Sequence, residues 1–110
     1  MQEISQIREL NSKLGNFSVD IQKVLIDLKK EWYDFYGFDL PDPITMAIAL
    51  ENSIIEESQD CHVIVDTRDG ITRGQTIVDY FDVEGKNQNV RVVTKSSNKK
   101  FMSLLLDLLR

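Results

Sequence analysis

A chain of 110 residues, 42% hydrophobic and 28% charged, is at most one domain, of ordinary soluble composition. Its net charge of −5 excludes a sequence-independent binder of the nucleic-acid backbone, which needs a basic face; Lys29-Lys30 and Lys99-Lys100 read as solvated edges. No apolar run approaches the ~20 residues of a membrane span, and the opening Met1-Gln2-Glu3-Ile4 has neither the basic nor the apolar region of a signal peptide.

Ile4, Ile7, Leu10 and Leu14 recur at helical spacing, with Gly15 as a stop. A second helix starts near Asn16 or Ser18 and carries the stripe Phe17, Ile21, Val24, Leu25, Leu28, Trp32 and Phe35, ending at Gly37. The aromatic cluster of Trp32, Tyr33, Phe35, Tyr36 and Phe38 reads as core, with Trp32 or Tyr36 as alternative pocket walls.

The stretch Leu40-Pro41-Asp42-Pro43 then opens a third helix reaching about Asn52. Pro43 suits the first helical position, which puts Asp42 at the N-cap, facing the positive end of the helix dipole. Pro41 stiffens the approach. A carboxylate so placed can cap the helix, bind a hard cation or orient a sugar hydroxyl. Met46 to Leu50 is apolar all round, which predicts a buried helix.

Beyond it the period changes to two. Cys61 to Asp66 is a strand, Arg68-Asp69-Gly70 a turn, Gln75 to Phe81 a second strand and Asn89 to Lys95 a third. Ser97 or Asn98 caps a last helix, Phe101 to Leu109, too apolar to stand alone and in need of a sheet face or another chain. The fold class is α/β: N-terminal helices, about three strands arranged as a hairpin plus one, and a closing C-terminal helix.

Cys61, the single cysteine, permits no internal disulfide and fits a reducing cytoplasm as a buried structural thiol. Asp66, Asp69 and Asp79 lie near turns, solvated or accepting from turn amides. His62 reads as an edge or satisfied core group. Arg73, beside Gly74 at a strand start, pairs with a nearby carboxylate or else touches a substrate. No catalytic triad, phosphate loop or zinc cluster is present.

Leu40-Pro41-Asp42-Pro43 with Ile44 to Leu50, then Thr72-Arg73-Gly74-Gln75-Thr76-Ile77-Val78-Asp79 and Asn89-Val90-Arg91-Val92, resembles the C-terminal third of the inosine-uridine-preferring nucleoside hydrolases. The helical lead-in ending Phe35-Tyr36-Gly37 looks like theirs too, and the likeness covers nearly the whole chain, most firmly from about Trp32 to Leu109. It implies calcium-dependent hydrolysis of the bond between nucleobase and ribose, with a nucleoside as partner and Asp42 as a metal ligand. The family often has His immediately before that aspartate; here Pro41 stands there and cannot transfer a proton.

The family's N-terminal Asp-x-Asp-x-x-x-Asp-Asp signature has no match in the chain. The resemblance therefore leads to three expectations. Residues 1–110 form a single partial domain, the C-terminal segment of such a fold. The isolated chain is inactive. It meets either a missing N-terminal part or further copies of itself as a homo-oligomer. The alternatives are a non-catalytic interaction module or decayed remnant, and a small enzyme using His62 with Asp66.

Overall fold

The computed structural model of the protein describes residues 2–33 and 39–110. In chain order the elements are α1 (Gln2–Glu9), α2 (Lys13–Tyr33), α3 (Pro41–Leu50), a 3-10 turn (Asn52–Ile54), β1 (Ile55–Val65), β2 (Thr76–Asp79), β3 (Val90–Ser96) and α4 (Asn98–Leu108). Two compact units result: a helical one, Met1–Ile54 with Ser97–Arg110, and a sheet unit, Ile55–Ser96.

In the helical unit the first two helices separate at Asn11, not at Gly15. Asn11 takes a left-handed φ of 50°, a conformation asparagine tolerates better than most residues. Ser12 then caps α2, its hydroxyl accepting from the Gly15 N–H at 2.9 Å and donating to the Leu109 carbonyl. Gly15 is buried inside α2 and marks a close helix approach. A Cβ there would meet Ser12 Oγ at 2.8 Å and Ile7 Cγ2 at 3.3 Å.

Two apolar clusters hold this unit together. Ile7, Val19 and Leu109 form one, with Ile4 and Leu10 packed against it. Ala47, Ile54, Phe101 and Met102 form the other, with Leu40, Ile44 and Ile48. Leu105 and Leu106 pack against both, so α4 is their shared wall. Within the helical unit the apolar last helix is thus covered by α1 and α3. The third helix is less buried than its composition predicts: only Ala47 is buried, while Met46 and Leu50 are exposed. Trp32 is also exposed, and the expected aromatic core at Phe35, Tyr36 and Phe38 lies outside the described residues.

The sheet order is β2-β1-β3, both pairings antiparallel. β1 serves its two neighbours with different halves: Ile55 to Cys61 pairs with β3, and His62 to Val65 pairs with β2. It begins six residues earlier than the alternation at Cys61 suggests, because Ile55-Glu56-Glu57-Ser58-Gln59-Asp60 has no apolar period. Pairing with β3 makes it a strand, aided by Asp60–Arg91 at 3.0 Å and Glu57–Lys95 at 3.3 Å. Beyond Val90, the Asn89 side chain substitutes for backbone: its amide donates to the Val63 carbonyl and its oxygen accepts from the Val63 N–H, at 2.9 and 2.8 Å.

Ile54 is completely buried at the point where the chain leaves the helical unit. Ile54→Ala is expected to destabilise the protein by about 2–5 kcal/mol, read from the shift in urea midpoint at unchanged slope.

Candidate functional site

The prolines set the geometry of the α3 start. Leu40 is the residue preceding the helix and makes no side-chain cap, and Pro41, Asp42 and Pro43 fill the first turn. None of the first helical N–H groups has an intrahelical acceptor, so two missing N–H groups cost little there. The first bond runs from the Ile44 N–H to the Leu40 carbonyl at 3.0 Å, and the Thr45 hydroxyl donates to the Pro41 carbonyl at 2.7 Å.

Asp42 is therefore one residue inside the helix, not its N-cap. Its side chain is exposed and has no hydrogen bond or ion pair among the described residues. The position still favours a negative charge, since it faces the positive end of the helix. An apolar groove of about 160 Å³ lies between α3 and α4, lined by Pro43, Met46, Ala47, Leu50, Leu104 and Leu108 among others. Asp42 does not line it. Among the described residues no group of three or more His, Cys, Asp or Glu side chains is placed to hold a metal ion.

In the sheet unit the carboxylate that organises structure is Asp66, and sequence reasoning understated it. It is buried at the end of β1. Arg68 Nε and Nη2 donate to its two oxygens at 2.9 and 3.1 Å, the Arg68 N–H adds a bond at 3.1 Å, and the Thr72 hydroxyl adds one at 2.8 Å. These bonds, the Arg68 side chain first and then the Thr72 hydroxyl, pull its pKa down to about 2. Its own backbone closes the loop, donating to the Gln75 carbonyl and accepting from the Gly74 N–H, which Gly74 reaches with φ 86°. The available signal was the Asp-x-Arg spacing of an Asx turn.

Asp79 accepts from the Val83 and Glu84 N–H groups, both at 2.9 Å, the turn-amide role expected for it. Those bonds, Glu84 first, lower its pKa. Arg73 pairs with Asp69 at 2.7 Å, as the carboxylate reading predicted. His62 sits opposite Asp79 in the sheet register, and its Nδ1 meets the Asn87 carbonyl at 2.9 Å, so that nitrogen carries the proton. No hydrogen bond joins His62 to Asp66, which Arg68 and Thr72 occupy. Cys61 is buried in β1.

The model of the inosine-uridine preferring nucleoside hydrolase family matches residues 1–103, and the chain belongs to that family. A pyrimidine-specific ribonucleoside hydrolase RihA of Shewanella baltica is 37% identical over 78 residues, 71% of this chain and 24% of that protein. The Escherichia coli RihA is 26% identical across the whole chain and 35% of its own length. Among solved structures, a purine-preferring ribonucleoside hydrolase from Gardnerella vaginalis superposes with TM-score 0.74 at 26% identity over 98% of this chain and 35% of that one. The plant nucleoside hydrolase PpNRh1 superposes with TM-score 0.79 at 23% identity over 98% and 36%. The chain spans about a quarter to a third of the length of these curated relatives.

This coverage corrects the sequence reading. The family match runs from residue 1 and includes α1 and α2. Both superpositions take in 98% of the chain. The expectation that the likeness amounts to an inactive C-terminal third is therefore set aside on the match to α1 and α2, and the chain itself spans 24–36% of its relatives' length. The N-terminal helices belong to the family fold.

Because the folded pKa of Asp66 lies below the unfolded value of about 3.9, its contribution to stability is present above that value and lost as pH falls toward about 2. Asp66→Asn is expected to melt below wild type at pH 6, with the difference closing between about pH 4 and pH 2; thermal melts of both proteins across that range check it.

Proposed function

We propose that this protein acts in the hydrolysis of ribonucleosides, water displacing the nucleobase from the ribose, with Asp42 as a calcium ligand. The supporting observation is the exposed Asp42 carboxylate, held between two prolines in the first turn of α3, in a chain that the family model matches over residues 1–103. The names of its relatives support the substrate class, and they divide on the base: the curated ones are called pyrimidine-specific and the Gardnerella structure purine-preferring.

Ca²⁺ is a hard cation taking about six to eight oxygen ligands. Asp42 offers two at most, and the described side chains bring no cluster to it. They do not fit a complete calcium site, and Asp42 stands as one ligand of it. When bound, such an ion supplies charge and orientation to ribose hydroxyls and water.

The chain's own contribution is electrostatic. A fixed carboxylate beside the sugar stabilises the cation-like transition state that forms as the base departs. Its rigidity comes from Pro41 and Pro43, which lock φ on both sides of Asp42. Pro41 holds no titratable proton, so the leaving base takes its proton from another group or from solvent. The cytoplasm is the proposed location, in keeping with one buried thiol and no disulfide. No helix among the described residues is long and apolar enough to cross a membrane.

The test is release of free ribose from uridine, cytidine, inosine and adenosine by the purified chain, with and without a calcium chelator. Ribose release is expected, with Asp42→Asn lowering kcat/KM by roughly 100-fold or more, about 2.7 kcal/mol of transition-state stabilisation. Titration calorimetry with Ca²⁺ gives a second readout, and a chain that neither binds calcium nor releases ribose from any of the four nucleosides would refute the reading.

A further inference from the structure

The loop joining β1 to β2 carries the sequence's single Asp-Gly pair, Asp69-Gly70. The Asp69 side chain is 99% exposed, and its one partner is Arg73 at 2.7 Å. Gly70 is open as well. Nothing lies within 4 Å of the place that a Cβ would occupy there, and its φ of 152° lies in the region that favours glycine. The Gly70 N–H has no acceptor among the described residues; its carbonyl accepts from the Arg73 N–H at 3.3 Å. An unengaged amide nitrogen, with no side chain beside it, thus follows directly on an exposed carboxylate.

Other aspartates lack this combination. Asp42 is followed by Pro43, which has no N–H to give up. Asp66 is buried, and its carboxylate is held by Arg68 and Thr72. Asp82 is followed by Val83, whose N–H is already donated to Asp79 at 2.9 Å. Asp20, Asp27 and Asp107 lie inside helices, where the next residue is fixed by the helical backbone. The loop tip around Asp69 is also free to change without undoing the sheet. Asp66 pins both sides of it, through Arg68 and Thr72 on its carboxylate and through Gly74 and Gln75 on its backbone.

We infer that Asp69 is a self-modification site: its side chain closes on the Gly70 nitrogen and reopens as isoaspartate, with Arg73 as the restraint on that step. The Asp69 carboxylate first takes a proton from water. The Gly70 nitrogen then bonds to Asp69 Cγ, and the carboxyl hydroxyl leaves as water with the amide proton. Water opens the resulting five-membered imide. Attack at Cγ restores aspartate. Attack at the backbone carbonyl carbon of Asp69 breaks its bond to the Gly70 nitrogen, so the main chain runs through Cβ and Cγ and the α-carboxylate hangs free. One water is lost and one regained, so mass and net charge are unchanged. Arg73 Nη1 holds one carboxylate oxygen, and that bond must break before the ring closes. The product, a covalently altered residue on an exposed tip, is a substrate for enzymes that methylate isoaspartyl carboxylates. The inference uses neither Asp42 nor calcium and stands apart from the nucleoside reading.

The test is storage of the purified full chain for several weeks near neutral pH at body temperature. One readout is methyl transfer from labelled S-adenosylmethionine by an isoaspartyl methyltransferase. The other is cleavage before Asp69 by an endoprotease that cuts on the N-terminal side of aspartate but not of isoaspartate. Methyl acceptance is expected to rise with storage and to map to the peptide holding Asp69, with a matching loss of the cut. Asp69→Glu keeps a charge facing Arg73 but cannot close the five-membered ring, and should lose the signal. Arg73→Gln removes an exposed ion pair and should speed accumulation about two- to fivefold. A stored chain that accepts no more methyl than fresh protein overturns the inference, as does acceptance that maps elsewhere or persists in Asp69→Glu. An Arg73→Gln chain that accumulates isoaspartate no faster than wild type overturns the restraint assigned to Arg73.

Discussion

Ile54 is the hinge on which the helical unit depends. It is fully buried among Ala47, Phe101 and Met102, and its carbonyl accepts from the Ser97 N–H at 2.8 Å. That bond joins the point where the chain leaves the unit to the point where it returns. Lys100 adds a second stitch, donating to the Ser53 carbonyl at 2.7 Å. The intervening residues Ile55–Ser96 form a unit of their own. Loop-closure entropy grows only with the logarithm of length, so a long excursion costs little more than a short one. What matters is that both ends are pinned. Once they are, α4 lies between α3 and α1, and the first turn of α3, with Asp42, is held on a packed scaffold.

Within the sheet unit, side chains finish what three short strands cannot. Asp66, Asp79 and Asn89 each occupy backbone groups that would otherwise end unpaired. A carboxylate accepting such bonds is stabilised in its charged form, and the same bonds fix the loops on either side of β2. These acids are consumed by structure. Asp42 differs: it is exposed and unengaged among the described residues, on a backbone made stiff by proline. Rigidity without a partner suits a ligand or substrate contact, whereas rigidity with a full set of partners is structural. That contrast, more than carboxylate identity, separates Asp42 from Asp66.

Family membership rests on the match over residues 1–103, and the two solved relatives carry the same arrangement at modest identity. Much of that was legible at the level of elements. The Leu-Pro-Asp-Pro helix start, the hairpin around Thr72 to Asp79 and the closing helix all occur where local pattern put them, within a few residues. Boundaries moved where local pattern is silent. Asn11 breaks the N-terminal helices because it accepts a left-handed φ, while Gly15 is spent on close packing against Ile7. Residues Ile55 to Asp60 became strand because β3 lies beside them, although nothing in their own alternation asks for it.

The sequence by itself determined element types, the prolines bracketing Asp42, the acidic character that rules out backbone-driven nucleic-acid binding, and the family. These follow from residue identity, periodicity and covalent constraint, which act over a few residues. Only the tertiary structure decided which apolar stripe is core and which is left bare, and which acid is buried. Ile26 and Ile21 are chemically identical and share a helix, yet one is covered and the other is 54% exposed. The physical reason is that burial is a property of the neighbours a face meets in space, and helical spacing fixes the faces without fixing what lies against them.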